Sequence, residues 1–138
     1  MPNSSNSVLP VIGRILISII FINAGVSKIA GHAMMTGYAA AKGLPAPGLA
    51  IWVAAVIEIL GGLAILLGLQ ARIAAWVLFL YLIPTTLIFH NFWAFQGMER
   101  MNNQINFFKN LAIMGGFLFI ATFGAGAYSV DSSRSKAV

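Results

Sequence analysis

The sequence predicts an all-α membrane protein, an antiparallel bundle of four transmembrane helices. Of the 138 residues, 59% are hydrophobic and 8% are charged, which is roughly a third of the charged fraction of a soluble domain. Four apolar runs each approach or reach the roughly 20 residues that a helix needs to cross the hydrocarbon core. The segments between them carry polar residues, glycine or proline, so successive helices are expected to turn back across the bilayer.

The predicted spans cover about 9–29, 48–69, 73–93 and 105–123. They leave no room for a second domain, so residues 1–126 are read as one transmembrane domain. The remaining residues, 127–138, are polar and are expected to form a disordered tail.

The formal net charge of +5 is carried mainly near the ends of the apolar runs. This pattern suits anionic lipid head groups and argues against nucleic-acid binding, because no polar face carries a basic stripe. When Lys28 and Lys109 are assigned to helix interiors, four Lys/Arg residues fall on one side of the membrane and two on the other. Cytoplasmic loops are enriched in these residues, so both termini are predicted to be cytoplasmic. The first side carries Arg14, Arg72, Arg134 and Lys136, and the second carries Lys42 and Arg100.

Glu58 lies in the middle of the uncharged run from Gly48 to Gln70. A carboxylate at this depth must be paired, protonated or in contact with water. Ala54 and Gly62 lie one turn away on the same helix face and are small enough for another helix to approach. Glu58 is therefore expected to face the bundle interior, near a basic side chain: Lys28, Lys109 or His90.

Nearly all polar residues inside the spans fall in one half of the membrane, at a rise of about 1.5 Å per residue. All four helices contribute, which predicts a shared interior site. Two interpretations stay open: an ion pair whose hydrogen-bond network fixes the bundle, or a site that surrounds a polar head group or relays protons. The candidate residues are Glu58, His90, Lys109, Lys28, Asn23, Ser27 and Asn110.

His90 stands in an aromatic run, either as part of an interfacial aromatic belt or as a proton carrier facing the polar cluster. Phe89, Phe92 and Trp93 are candidates for stacking on a bound ring. Haem ligation is disfavoured because the second histidine, His32, falls in a loop. The chain has no cysteine, which excludes Cys-ligated iron–sulfur clusters, Cys-based zinc sites and thiol catalysis. No metal ligand and no complete catalytic constellation is assigned.

Six segments form an ordered set of motifs that covers most of the chain. They are AGVSKIAG at 24–31, GLPAP at 43–47, EILGGLAILLGLQARIAA at 58–75, LIFHNFW at 87–93, NFFKNLAIMGGFLFIA at 106–121 and YSVD at 128–131. Together they resemble the DoxX family. The resemblance implies a four-helix protein of the bacterial inner membrane. It also implies a link to quinone chemistry, because the family is named after a small subunit associated with a terminal quinol oxidase and thiosulfate:quinone oxidoreductase.

The first functional hypothesis is an accessory subunit that interacts with quinone, working as a homo-oligomer or within a larger membrane redox complex. The polar cluster would hydrogen-bond the quinone head group, while Glu58 and His90 exchange protons and a partner supplies electrons. Two alternatives stay open. The cluster lines a path for protons or a small solute, or the protein is a structural assembly subunit with a buried ion pair. The substrate and the partner are not specified by the sequence.

Overall fold

The computed structural model describes residues 7–136, which form helices and connecting loops with no β-strand in that range. Four long helices are long and apolar enough to cross a membrane. The prediction of an all-α protein with four transmembrane helices is confirmed. The helices are α1 (Leu9–Ala30), α2 (His32–Ala41), α3 (Pro47–Leu67), α4 (Ala71–Phe89), α5 (Gly97–Phe123) and α6 (Val130–Ser135), with a short 3₁₀ helix at Phe92–Ala94.

Helix α3 is central: it packs on α1, α2 and α4, while α5 packs on α4. Glycines make the α1–α3 contact possible, because a methyl group at Gly25 would come within 2.9 Å of the Ala55 carbonyl oxygen. Gly62 plays the same part further along, where an added methyl would lie 2.9 Å from the Ile22 side chain. Small residues at such positions let membrane helices gain van der Waals contact that lipid cannot replace.

An apolar core occupies the half of the bundle nearer the α3–α4 turn. Phe21, Ile65, Leu78 and Phe117 come from four different helices, and all are at most 4% exposed. The rings of Phe21 and Phe117 lie 5.3 Å apart between centroids. We call this half of the bundle the turn end. The opposite half, where α2 and His90 lie, is called the His90 end.

Helix α5 begins at Gly97, eight residues before the predicted start of the fourth span at 105. Its first two turns are polar, and such polarity is also typical of a link between two spans. Glu99 in the first turn suits the positive end of the helix dipole. The side chains of Asn103 and Asn106 each donate to the backbone carbonyl four residues earlier. The polarity of this segment therefore marks where α5 leaves the apolar layer, not where the helix begins.

The prediction of a disordered tail is wrong for residues 130–135, which form α6. Asp131 docks this helix at the turn end, because its carboxylate accepts the backbone N–H groups of Gln70 at 2.8 Å and Ala71 at 2.9 Å. Its own N–H donates to the Gly68 carbonyl at 2.9 Å. The carboxylate thus satisfies N–H groups at the start of α4 that have no partner within the helix. Residues 137 and 138 of the predicted tail lie outside the described residues.

Candidate functional site

Three side chains from three helices meet near the middle of the bundle. The Lys28 ammonium nitrogen lies 2.9 Å from both carboxylate oxygens of Glu58. The Tyr81 hydroxyl donates to Glu58 Oε1 at 2.7 Å. Glu58 is 4% exposed, and the Lys28 side chain is 19% exposed. We call this group the Lys28–Glu58–Tyr81 triad. The expected contact between Glu58 and Lys28 is present, and it makes Glu58 an interior, paired carboxylate.

The helix register explains why these residues meet. Glu58 belongs to the buried stripe of α3, which also includes Ala55 and Gly62. It lies nine residues before the end of α3 at Leu67, and Tyr81 lies ten residues after the start of α4 at Ala71. Because a tight turn joins the two helices, residues equally far from it come to the same depth. Lys28 reaches the same level from the last turns of α1.

A cavity of about 330 Å³ adjoins the triad on the side of the His90 end. Lys28 and Tyr81 contribute to its wall, whereas Glu58 does not and stays behind them. The wall is otherwise mainly apolar, and His90 and Tyr38 add polar groups. A mainly apolar cavity with a few convergent polar groups is typical of a small-molecule site.

The hydrogen bonds determine which polar groups can serve a ligand. An ammonium carries three protons, and within residues 7–136 Lys28 hydrogen-bonds only to the two oxygens of Glu58. One proton is therefore available on the cavity side. His90 Nδ1 lies 3.4 Å from Asn103 Oδ1, which leaves the other ring nitrogen for a second interaction. The Tyr81 hydroxyl already donates to Glu58, and the Thr85 hydroxyl donates to the Tyr81 backbone carbonyl at 2.9 Å. The site thus offers hydrogen-bonding groups at Lys28 and His90.

Helix α2 closes the cavity at the His90 end. The rings of Tyr38 and Phe89 lie 5.5 Å apart between centroids. Lys42 donates to the Asn91 side-chain oxygen at 2.9 Å and lies 4.7 Å from the centroid of the Phe95 ring. These contacts join α2 and the residue after it to the end of α4 and the segment that follows α4.

The remaining sequence candidates separate into two other places. Asn110 is buried and donates to the Thr86 hydroxyl at 3.0 Å, which links α5 to α4. Lys109 is exposed and bonds the neighbouring Asn106 at 2.7 Å. Neither residue lines the cavity. Asn23 and Ser27 are exposed on the outer surface of α1.

The expectation that Asn23 and Ser27 face the interior is therefore wrong. Gly25 forms the contact of α1 with α3, and each of the two residues is two positions away from it. At about 100° per residue, two positions correspond to about 200° around the helix. Both side chains thus lie on the face opposite the helix contact. Depth alone predicted their level but not their direction.

The aromatic candidates also separate. Phe89 lines the cavity. Phe92 and Trp93 instead pack against Phe107 of α5, with ring centroids 5.3 and 6.0 Å apart. The reason is that α4 ends at Phe89 and the chain turns away through the 3₁₀ helix. Phe92 and Trp93 are therefore not in a position to stack on a ligand in this cavity.

Sequence reasoning missed Tyr81, although it is the one tyrosine inside a predicted span and matches Glu58 in distance from the α3–α4 turn. The sequence pattern places Arg14 among the charges on one side of the membrane, but the structure places it in the interior. It is 3% exposed, and its guanidinium donates to the backbone carbonyls of Leu66 and Tyr128. Within residues 7–136, no three His, Asp or Glu side chains come together as metal ligands.

The family model for DoxX matches residues 9–91. The chain belongs to the DoxX family. The matched range contains the whole triad and every residue that lines the cavity, and it ends before α5. The resemblance expected from the motifs is confirmed.

Two relatives that match over most of their length support the same assignment. The chain is 38% identical to the inner membrane protein YphA of Escherichia coli K12, over 93% of the chain and 91% of the relative. It is 40% identical to the inner membrane protein YqjF of the same organism, over 91% of each. The ER-derived vesicles protein ERV29 of Saccharomyces cerevisiae is 30% identical over 60% of this chain and 27% of that protein. No solved structure matches the chain. This DoxX-family chain is a multi-pass inner membrane protein.

Proposed function

We propose that the protein binds a quinone head group in the cavity beside the Lys28–Glu58–Tyr81 triad, as an accessory subunit of a membrane redox complex. One observation carries the proposal: a mainly apolar cavity lies among membrane-spanning helices and presents Lys28 and His90 to its interior. Its volume of about 330 Å³ falls at the lower end of the roughly 300–1,000 Å³ of small-molecule sites. An apolar ring with two hydrogen-bond acceptors suits such a lining.

The proposed roles follow from the contacts. A quinone carbonyl oxygen is an acceptor, and the available proton of Lys28 would bind one of the two. His90 would donate to the other carbonyl from Nε2, in the ring tautomer that gives up the 3.4 Å contact between Nδ1 and Asn103 Oδ1. The Phe89 ring would contact the apolar face of the head group. Glu58 holds the ammonium in place and balances its charge, so the site can present a strong donor at membrane depth. The electrons would come from a partner in the complex.

This assignment changes the proton-exchanging pair expected from the sequence. Glu58 is shielded from the cavity by Lys28 and Tyr81 and does not contact His90. Its part in the proposal is to position and neutralise Lys28. Lys28 and His90 are the groups that would touch the ligand.

Photolabelling with an azido derivative of a short-chain ubiquinone tests the proposal in native membranes. The label should be saturable, should be displaced by unlabelled quinone, and should appear in peptides from residues 35–54 and 81–90. Ala54 lines the cavity, so Ala54→Leu should fill it and reduce specific labelling at least about tenfold, which corresponds to about 1.4 kcal/mol of binding. Ala112 is exposed on α5, and Ala112→Leu is the matched control.

Labelling spread over all four helices, with the same yield in Ala54→Leu as in the wild type, would count against a quinone site. Such a result would mean that the probe only partitions into the lipid. His90→Leu gives a second check, because it removes one proposed donor without disturbing the triad. It should weaken labelling while leaving the folded fraction unchanged.

Passage of protons or a small solute is the second candidate. The observation that favours it is the pair of exchangeable protons that Lys28 and Tyr81 direct at Glu58, adjoining a cavity whose wall includes Thr85. The apolar core around Phe117 separates this pair from the turn end and favours binding over passage. Liposomes decide between the two: a passage protein should give a proton flux that Glu58→Gln abolishes, whereas a binding protein should give no flux above empty liposomes.

A further inference from the structure

Helix α1 presents a regular stripe of residues to the outside of the bundle. The separations between its members alternate between three and four residues, which is the spacing of the a and d positions of a coiled coil. Every member is exposed, with Leu16 at 67% and Ile19 at 57%. We call this stripe the α1 outer face. It consists of Leu9, Ile12, Leu16, Ile19, Asn23, Val26 and Ala30.

Asn23 is the single strongly polar member of this face. It lies seven residues before the end of α1 at Ala30, which places it about 10 Å inside that end of the helix. Its side-chain amide has no hydrogen-bond partner among residues 7–136. Hydrocarbon offers no partner either, and leaving an amide unpaired in an apolar medium is unfavourable relative to water. Something that can both donate and accept is therefore expected against Asn23.

The outward surfaces of α3 and α4 at this depth differ. The exposed side chains in the middle of α3 are apolar, as at Val56 and Leu60, and those of α4 are also apolar, as at Leu80 and Ile83. These surfaces need nothing but lipid tails. The amide on α1 thus distinguishes its outer face from the outward faces of α3 and α4.

We propose that the α1 outer face pairs with the same face of a second copy of this chain, with the two Asn23 amides bonded to each other. Copies inserted in one orientation carry Asn23 at the same depth, so a two-fold axis along the membrane normal brings the two amides together. An amide has both a donor and an acceptor, which makes it complementary to itself in such a symmetric interface. A single asparagine at an a position fixes the register and the number of strands in coiled coils. The pairing uses neither the cavity nor the triad and stands independently of the proposed function.

Cysteine cross-linking tests whether the α1 outer face lies between two copies of the chain. The chain has no native cysteine, so single cysteines at Ile19 and Val26 are free of background from this protein. Oxidation in native membranes should give a disulfide-linked band of twice the monomer mass at both positions. Leu80 is 59% exposed on α4, and Leu80→Cys should stay monomeric. Equal cross-linking from Leu80, or a band containing a different protein, would overturn the pairing of two copies.

The dissociation constant of the dimer tests whether the Asn23 amide contributes to pairing. Copies of the protein that carry donor or acceptor dyes are mixed in lipid vesicles. Energy transfer between them should fall as the ratio of lipid to protein rises. Interhelical hydrogen bonds in membranes are worth about 1–2 kcal/mol in model peptides, so Asn23→Leu should raise the dissociation constant about 5–30-fold. Asn23→Gln keeps the amide and should stay within about threefold. Asn102 is exposed at the start of α5, and Asn102→Leu is the control that should change nothing. An undiminished dimer in Asn23→Leu, or a monomeric wild type at every lipid ratio, would refute the proposal.

Discussion

The two partners of the buried ion pair should differ in what their loss costs. Glu58→Gln leaves Lys28 without a counter-charge, but the Lys28 side chain is 19% exposed and borders the cavity. Lys28→Met leaves Glu58, which is 4% exposed and does not border it. Breaking a buried pair costs about 3–5 kcal/mol. We therefore expect Glu58→Gln to fall at the lower end of that range and Lys28→Met at the upper end.

The double variant distinguishes pairing from a general loss of packing. Lys28→Met with Glu58→Gln removes both charges and keeps the side-chain volumes, and replacement of a whole buried pair is often neutral or stabilising. The Gln side chain also retains an oxygen to accept the Tyr81 hydroxyl. The double variant should therefore be more stable than either single variant. Lys109→Met is the matched control, because Lys109 is exposed and bonds only Asn106 among the described residues. Its effect should stay within about 0.5 kcal/mol.

The purified protein is unfolded in mixed micelles with increasing SDS, and tryptophan fluorescence is the signal. The titration gives the free energy of unfolding of the wild type and of each variant. A native domain is stable by only about 5–15 kcal/mol, so a loss of 3 kcal/mol is readily measured. The reasoning fails if the two single losses simply add in the double variant. It also fails if Glu58→Gln is as stable as the wild type, because Lys28 would then not depend on the carboxylate.

Three further predictions concern other parts of the chain. Asn110→Leu strands the buried Thr86 hydroxyl and should cost about 1–3 kcal/mol in the same SDS titration; adding Thr86→Val should recover part of the loss, and additive losses would contradict the pair. Asp131→Ala removes the acceptor at the start of α4 and should cost about 0.5–2 kcal/mol; trypsin should then cleave the tail faster, and unchanged cleavage would show that Asp131 does not hold α6. Both termini should be cytoplasmic, so a cysteine at Ser133 should resist impermeant maleimide in intact cells while one at Asn102 reacts. The reverse pattern would mean that both termini lie outside the cytoplasm.

The basis of the orientation prediction changes with the structure. Arg14 is buried in α1 and bonded to backbone carbonyls, so by the criterion applied to Lys28 and Lys109 it no longer counts as a loop charge. The bias then compares three residues with two. The three are Arg72, Arg134 and Lys136, against Lys42 and Arg100. The maleimide experiment is therefore the direct test of orientation.

Hydropathy predicted the spans because every backbone group in hydrocarbon must be satisfied within the helix, which forces long apolar runs. The same rule does not indicate where a helix ends once it leaves the apolar layer, and α5 accordingly extends back to Gly97. Composition also suggested a disordered tail, because the docking of α6 depends on one carboxylate meeting the N-terminus of another helix. That contact joins Asp131 to Gln70, residues far apart in sequence.

Depth predicted part of the site because residues at the same level can meet, as Glu58 and Lys28 do. Depth could not say which side of a helix faces inward. That choice depends on which face packs against a neighbour, and in α1 it is set by the close approach at Gly25. The polar residues of one membrane half thus separated into a triad, a buried Asn110–Thr86 bond and an outward amide at Asn23.

The distribution of contacts favours a site that is entered from the His90 end. At the turn end, the apolar core and the bonds of Arg14 and Asp131 tie α1, α3, α4 and the tail together. At the other end, α2 buries only Ala39, and polar bonds tie its two ends, from His32 to the Gly48 carbonyl and from Lys42 to Asn91. Segments with few buried apolar contacts open at the lowest free energy. A ligand that enters beside α2 would therefore reach Lys28 and His90 without disturbing the packed half, which fits a binding site better than a path through the bundle.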